Sequence, residues 1–182
     1  FYKKQVVGNV ITDGSTYGFR SAYSADVNIA NDPNTAGKFV VVYGDASNSN
    51  YAKAVVGTVS GAAISFSSAV VWNSVTTYQT SIAFNPSTAG QFVVTYKGSW
   101  SYGMAKVGTV SGDTISFSTE VYFNTGAHSQ AEIVFDPFTA NTFVLAYRDM
   151  ISTYYGTFTV GTVSGTTISF GTPNVISASM DN

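Results

Sequence analysis

The chain has no cysteine, a single histidine and only four prolines in 182 residues. The absence of cysteine excludes disulfides, thiolate metal sites and thiol nucleophiles together. It does not mark a compartment, because a core of the size this chain can bury needs no cross-link. Charge is equally scarce, at 10% of residues, against about 25% in an average globular protein. Solubility therefore rests on Ser, Thr, Asn, Gln and backbone groups. Such a surface is common on rigid, secreted or particle-borne β proteins. Eight Lys and Arg stand against ten Asp and Glu, for a formal net charge of −2. A nucleic-acid binder needs clustered cations to displace counterions; Lys38, Lys53, Lys97, Lys106 and Arg148 are dispersed, so none is expected as a partner. Long apolar runs are lacking too. Segments such as Phe39–Tyr43 are too short to span a bilayer, and no apolar stretch follows Lys3 and Lys4 as a signal peptide requires. The chain opens on Phe1 rather than Met, which fits processing or an excerpt of a longer protein.

What is present is a repeat. Val-Gly-Thr-Val-Ser-Gly occurs at Val56–Gly61, Val107–Gly112 and Val160–Gly165, with a degenerate copy at Val7-Gly8-Asn9-Val10. Ile-Ser-Phe follows at Ile64, Ile115 and Ile168. Asp/Asn-Pro recurs at Pro33, Pro86 and Pro137, and Phe-x-x-x-Tyr at Phe39–Tyr43, Phe92–Tyr96 and Phe143–Tyr147. Four phrases in fixed order make a unit of about 51 residues. The approximate units are 1–53, 54–105 and 106–158, with a half unit at 159–182, in a single repeat domain. The incomplete last copy predicts a longer parent chain or self-assembly.

Each unit divides into four strands. In the second unit they are predicted near Ala54–Ser60, Ile64–Asn73 (kinked at Ser67-Ser68), Ser81–Asn85 and Gln91–Tyr96. Val, Ile, Phe, Tyr and Thr dominate them, and no stretch carries a capped 3.6-residue period, so no substantial helix is expected. Asp32, Asn85 and Asp136 each precede a proline, which is turn chemistry. Ser60-Gly61 and Ser111-Gly112 suit tight hairpins. Gly57, Gly108 and Gly161, inside a strand, predict a bulge or a close backbone approach, with the crowded axis of a ring as the natural cause. Phe143, Leu145 and Tyr147 alternate with Val144 and Ala146, so this strand is expected to be buried on both faces. The fold class that follows is all-β: four-stranded antiparallel repeats, β-propeller-like, with a β-solenoid or an intertwined fibre as the alternative.

Strand alternation sends one pair of turns to one face, short and similar between copies, and the other pair to the opposite face, where the copies differ. The variable loops hold Tyr51, Tyr78, Trp100, Tyr102, Tyr154 and Tyr155 beside Ser, Asn and Asp. Such rings stack on sugars or anchor a protein partner, so these six are the candidate ligand-binding residues; Tyr51, Tyr102 and Tyr155 equally suit a place in the outer core. Catalytic signals are weak. His128 lies in a predicted loop with no G-x-S-x-G segment in the chain. Glu120 and Glu132 are the only glutamates, and a glycosidase needs two carboxylates across one bond, yet exposed strand charges explain them as well. Asp45 and Asp149 lack a calcium-loop pattern, so neither metal nor cofactor is expected.

The phrases Val-Gly-Thr-Val-Ser-Gly, Ile-Ser-Phe, Phe-Asp-Pro and Phe-Val-x-x-Tyr-Arg-Asp resemble repeats of large structural or tail-fibre-like proteins of marine tailed phages, best in the third copy (Val107–Gly112, Ile115–Phe117, Phe135–Pro137, Phe143–Asp149). The first two copies depart from the Arg-Asp ending, with Gly44-Asp45 and Lys97-Gly98. The resemblance implies a virion or particle component that contacts a host surface. The unit also resembles kelch repeats in length, without their paired glycines. The expected function is a non-enzymatic adhesion or receptor-binding module recognising a surface glycan or protein. The alternatives are a structural fibre or spacer component and a carbohydrate-active enzyme using Glu120 or Glu132.

Overall fold

A computed structural model describes residues 4–7, 10–13, 15–20, 22–151 and 155–176. They form a short hairpin, β1 (Lys4–Val7) and β2 (Val10–Asp13), followed by three similar blades. The first blade comprises β3 (Ser24–Asn31), β4 (Lys38–Asp45), β5 (Tyr51–Ser60), β6 (Ala63–Phe66) and β7 (Val70–Thr76). The second comprises β8 (Tyr78–Phe84), β9 (Gln91–Lys97), β10 (Gly103–Ser111), β11 (Thr114–Phe117) and β12 (Val121–Asn124). The third comprises β13 (His128–Phe135), β14 (Thr142–Asp149), β15 (Gly156–Ser164), β16 (Thr167–Phe170) and β17 (Asn174–Val175).

All pairings are antiparallel, and the last two segments of each blade pair with different halves of the same third strand. They are one edge strand broken at the kink expected at Ser67-Ser68. The Ser67 hydroxyl accepts from Val56 N at 3.0 Å while Ser67 N donates to Val56 O at 2.9 Å. Ser118 repeats both bonds on Val107. The break therefore leaves no backbone group of the third strand unpaired there. A blade begins with the strand that leads into Asp/Asn-Pro and ends with the broken strand that opens on Ile-Ser-Phe, so β15, β16 and β17 complete the third sheet rather than standing apart. The first strands of adjacent blades pack on each other and form the inner edge; the broken strands lie outside.

Each seam between blades joins two different surfaces. The first blade contributes Val40, Val42, Ala54 and Val56, and the second answers with Phe84, Phe92, Val94 and Tyr96. The second then contributes Val93, Ala105 and Val107 to Phe135, Phe143, Leu145 and Tyr147 of the third. An aromatic from the outer strand closes each seam. Trp72 stacks on Phe117 (5.5 Å, 26°) and meets Tyr96 edge-on at 5.0 Å, and Phe123 takes the same place against Tyr147 and Phe170; Phe19, which lies in no strand, packs on Tyr43 and Phe66 of the first blade in the same way.

Two expectations change. Gly57, Gly108 and Gly161 do not face an axis. They lie in the third strand, directly across from Phe39, Phe92 and Phe143, and a Cβ on Gly108 would fall 2.0 Å from Phe92 Cζ. The close approach is a ring lying flat on backbone. The strand Thr142–Asp149 is not buried on both faces either: Val144 is 37% exposed, whereas its equivalents Val40 and Val93 are fully buried. No fourth blade covers that face among the described residues. The hairpins after the third strands turn as expected, with Gly61, Gly112 and Gly165 at φ near +60°.

Candidate binding face

The strand directions bring the loops between second and third strands, and the links between blades, to one face. Here the copies differ in sequence, although two consecutive left-handed residues recur just before the third strand in the first two blades. In the second blade the loop Gly98–Tyr102 is a single 3-10 turn in which Trp100 and Ser101 both take left-handed backbone (φ 62° and 65°). Left-handed non-glycine residues are uncommon and favour sites where the surroundings hold them. Ser101 N donates to Gly98 O, and Gly98 N to Tyr102 O. The indole of Trp100 is 86% exposed. Ser49 and Asn50 adopt left-handed backbone in the first blade's loop.

His128 holds the Trp100 loop from beneath. It opens the inner strand of the third blade and is fully buried, against the expectation that it lies in a loop. The correction is positional: the link between blades is too short to lift residue 128 off the sheet, and Phe123 and Tyr147 close around its ring at 5.1 and 6.3 Å. Nδ1 lies 3.0 Å from Ser101 O. A carbonyl only accepts, so Nδ1 carries the proton and Nε2 is the bare nitrogen, buried without a partner. Burial lowers the His128 pKa, outweighing the Ser101 hydrogen bond, which raises it. The unfolded chain thus takes up a proton near pH 6.5 that the folded chain refuses. Stability is expected to fall as pH drops below about 6.5, read as the urea midpoint between pH 7.5 and 5.5. His128→Gln should flatten that slope; an unchanged slope would show that other groups set it.

The remaining candidates are placed unevenly. Tyr78 begins β8 with its ring 44% exposed on this face. Tyr51 and Tyr155 are half-buried beside the starts of β5 and β15, and Tyr102 is half-buried, edge-on to Tyr122 at 6.0 Å. Tyr154 lies outside the described residues. The face therefore brings Tyr78 and Trp100 forward and sets the other three into its rim. Sequence reasoning missed the exposed Tyr23 and Ile151; Ile151 carries no aromatic signal, and Tyr23 precedes the first clear strand.

The two glutamates are not brought together. Glu120, beside the outer edge strand of the second blade, accepts from Tyr96 Oη at 2.7 Å and lies 3.6 Å from Lys106 Nζ. Glu132, on the inner strand of the third, accepts from Ser81 Oγ at 2.7 Å. Asp45 is tied up by charge: Arg20 and Ser47 donate to it, and Lys53 Nζ sits 2.7 Å from Oδ2. These bonds, that of Arg20 first, hold its carboxyl well below the usual carboxylate range. Among the described residues no group of three His, Asp or Glu side chains is placed to hold a metal ion, and no helix is long and apolar enough to cross a membrane.

Three antiparallel four-stranded sheets, joined outer edge to inner edge around a common inner rim, define an all-β repeat protein of the β-propeller type. No protein-family model matches the chain, and no curated protein matches it in sequence. Among solved structures it is similar to the WD40-type propeller Sqt1 of Saccharomyces cerevisiae, with a TM-score of 0.58 and 14% identity over 87% of this chain. It is similar also to Sqt1 of Chaetomium thermophilum, with a TM-score of 0.56 and 14% identity over 86% of this chain. The chain spans 37% of the length of each. At this identity the likeness shows the fold alone.

Proposed function

We propose that this chain is a non-enzymatic recognition module whose variable loop face binds a surface glycan or protein on behalf of an extracellular or virion particle. One observation carries the reading: an indole held almost fully in solvent on a left-handed turn that a buried histidine anchors. A ring presented to solvent on a fixed turn is already placed for burial by a partner and binds with little loss of conformational entropy. Tyr78 on the same face offers a second ring, and sparse charge leaves recognition to stacking and neutral hydrogen bonds. Trp100→Ala is expected to cost about 2 kcal/mol of binding to an arrayed cell-surface glycan or receptor ectodomain, while global stability changes by no more than about 0.5 kcal/mol. Parent-like binding by the variant would remove Trp100 from the function.

A second reading, a structural component built by end-to-end stacking, draws on the terminal blades. Ile29 is 59% exposed where its equivalent Ile82 is 8%, and Val134, Val144 and Val160 are uncovered at the other end. Val144 and Val160 are the equivalents of Val40 and Val56, which a following blade covers, so a further blade, from a longer chain or another copy, suits that end; on the first blade Phe39, Val41 and Tyr43 are already buried and Ile29 stands open. Sedimentation over a range of concentrations tests the second source.

A further inference from the structure

The three blades carry one position in three chemical forms. Phe19, Trp72 and Phe123 occupy equivalent places, so the residues that follow them, Arg20, Asn73 and Asn124, are equivalent too. Across the sheet, Lys53, Met104 and Thr157 pair with Tyr43, Tyr96 and Tyr147. Two residues beyond each tyrosine stand Asp45, Gly98 and Asp149.

In the first blade the chain fills this site with its own cations. Arg20 donates to Asp45 with its guanidinium carbon 5.5 Å from the centre of the Tyr43 ring, and Lys53 takes Oδ2. In the second blade the carboxylate is gone and the space is filled by an apolar chain: Met104 Sδ lies 2.7 Å from where a Cβ on Gly98 would stand, and Asn73 Nδ2 donates to Thr77 at 2.9 Å. In the third blade the tyrosine and the carboxylate return but both cations are replaced, by Asn124 and Thr157. The result is a pocket of about 350 Å³ walled by Phe123, Asn124, Tyr147, Asp149 and Thr157 among others. Asp149 Oδ1 accepts from Ile151 N at 2.9 Å, as Asp45 Oδ1 does from Ser47 N at 3.1 Å. Among the described residues no cation forms an ion pair with Asp149, and Asn124 Nδ2 is buried without an acceptor. Neither Lys97 nor Arg148 belongs to the walls.

We propose that this pocket binds the guanidinium or ammonium group of an arginine or lysine side chain on a peptide partner. The cation meets Asp149 and the face of Tyr147, reproducing the pairing that Arg20 and Lys53 make in the first blade, and a carbonyl of the same peptide accepts from Asn124 Nδ2. A partly buried carboxylate beside an aromatic ring favours such a group by charge and by cation–π attraction. The site adjoins the Trp100 loop, since Tyr122 meets Tyr102 and the pocket walls Phe123 and Tyr147 enclose His128; Trp100 itself is not among its walls, so Trp100→Ala and Thr157→Lys test the two readings separately.

The test is an amide chemical-shift titration of the full chain with Nα-acetyl-arginine methylamide, its lysine counterpart, and Nα-acetyl-citrulline methylamide as the neutral analogue. The arginine and lysine probes should move the amides of Asn124, Asp149 and Thr157, with citrulline at least about tenfold weaker. Asp149→Asn should weaken the arginine probe by a similar factor. Thr157→Lys, which rebuilds the first blade's internal pair, should abolish binding and keep the fold, so loss of folding in the first variant leaves the second to decide. Equal binding of citrulline, shifts elsewhere only, or unaltered binding by Thr157→Lys would overturn the proposal. Butylguanidinium binding as tightly as the acetylated arginine would overturn the peptide as the source.

Discussion

Phe92→Ala is expected to remove about 3–5 kcal/mol from the folding free energy, a large share of the roughly 5–15 kcal/mol available to a domain. Phe92 is fully buried. Its ring packs on Phe84 at 5.2 Å and on Phe117 at 5.7 Å, and its face lies against the backbone of Gly108. Truncation loses both aromatic contacts and opens a cavity whose floor is main chain, which cannot collapse to fill it. The complementary change, Gly108→Val, places side-chain atoms where the ring now lies and is expected to destabilise through overpacking. Because the two residues share one space, the double variant Phe92→Ala/Gly108→Val should be more stable than the sum of the single losses predicts. Urea denaturation of the four proteins measures this; strict additivity would mean that ring and glycine are not coupled.

The second large effect is expected at Asn85. This side chain is fully buried and joins two blades. Its Nδ2 donates to Gln91 Oε1 at 2.6 Å and to Asn141 Oδ1 of the next blade at 2.9 Å, and its Oδ1 accepts from Ser87 N at 3.0 Å. Asn85→Ala leaves these partners without their bonds in a site with little water, a loss of about 2–3 kcal/mol. Asp32 makes the corresponding link from the first blade, accepting from Gly90 N of the second at 3.1 Å. Among the described residues no blade follows Asp136, and its carboxylate bonds within its own turn, to Phe138 N at 2.8 Å and to Thr139. Asp136→Ala should therefore cost much less than Asn85→Ala. Comparable losses in urea midpoint would mean that the turn, not the inter-blade link, carries the energy.

The turn reading of these three residues was correct as far as it reached. Asn or Asp before proline announces a local fold of the backbone, because the side chain bonds an amide two residues on. Nothing local announces that the second polar atom of Asn85 reaches Asn141, more than fifty residues away. The same limit explains His128. Its neighbours in sequence are small or polar, with Gly126 two residues before, which reads as loop, while the rings that enclose it belong to Phe123 and Tyr147 on other strands. Among the candidate aromatics, Trp100 and Tyr78 were legible as exposed because they fall in segments that differ between copies. The half-buried places of Tyr51, Tyr102 and Tyr155 depend on which outer strand runs past them.

By itself the sequence determined the strand count, the turns, the kink at Ser67-Ser68 and the propeller-type repeat. Strand periodicity, glycine and proline act within a few residues, and four phrases recurring in order expose them. Only the tertiary structure decided where each blade begins and ends, which face of the third blade stands open, why Gly108 must lack a side chain, and that Thr157 and Asn124 vacate a pocket beside Asp149. Those outcomes rest on hydrogen bonds and packing between strands far apart in the chain. The energy of such contacts is set by the partner surface, which no local pattern records.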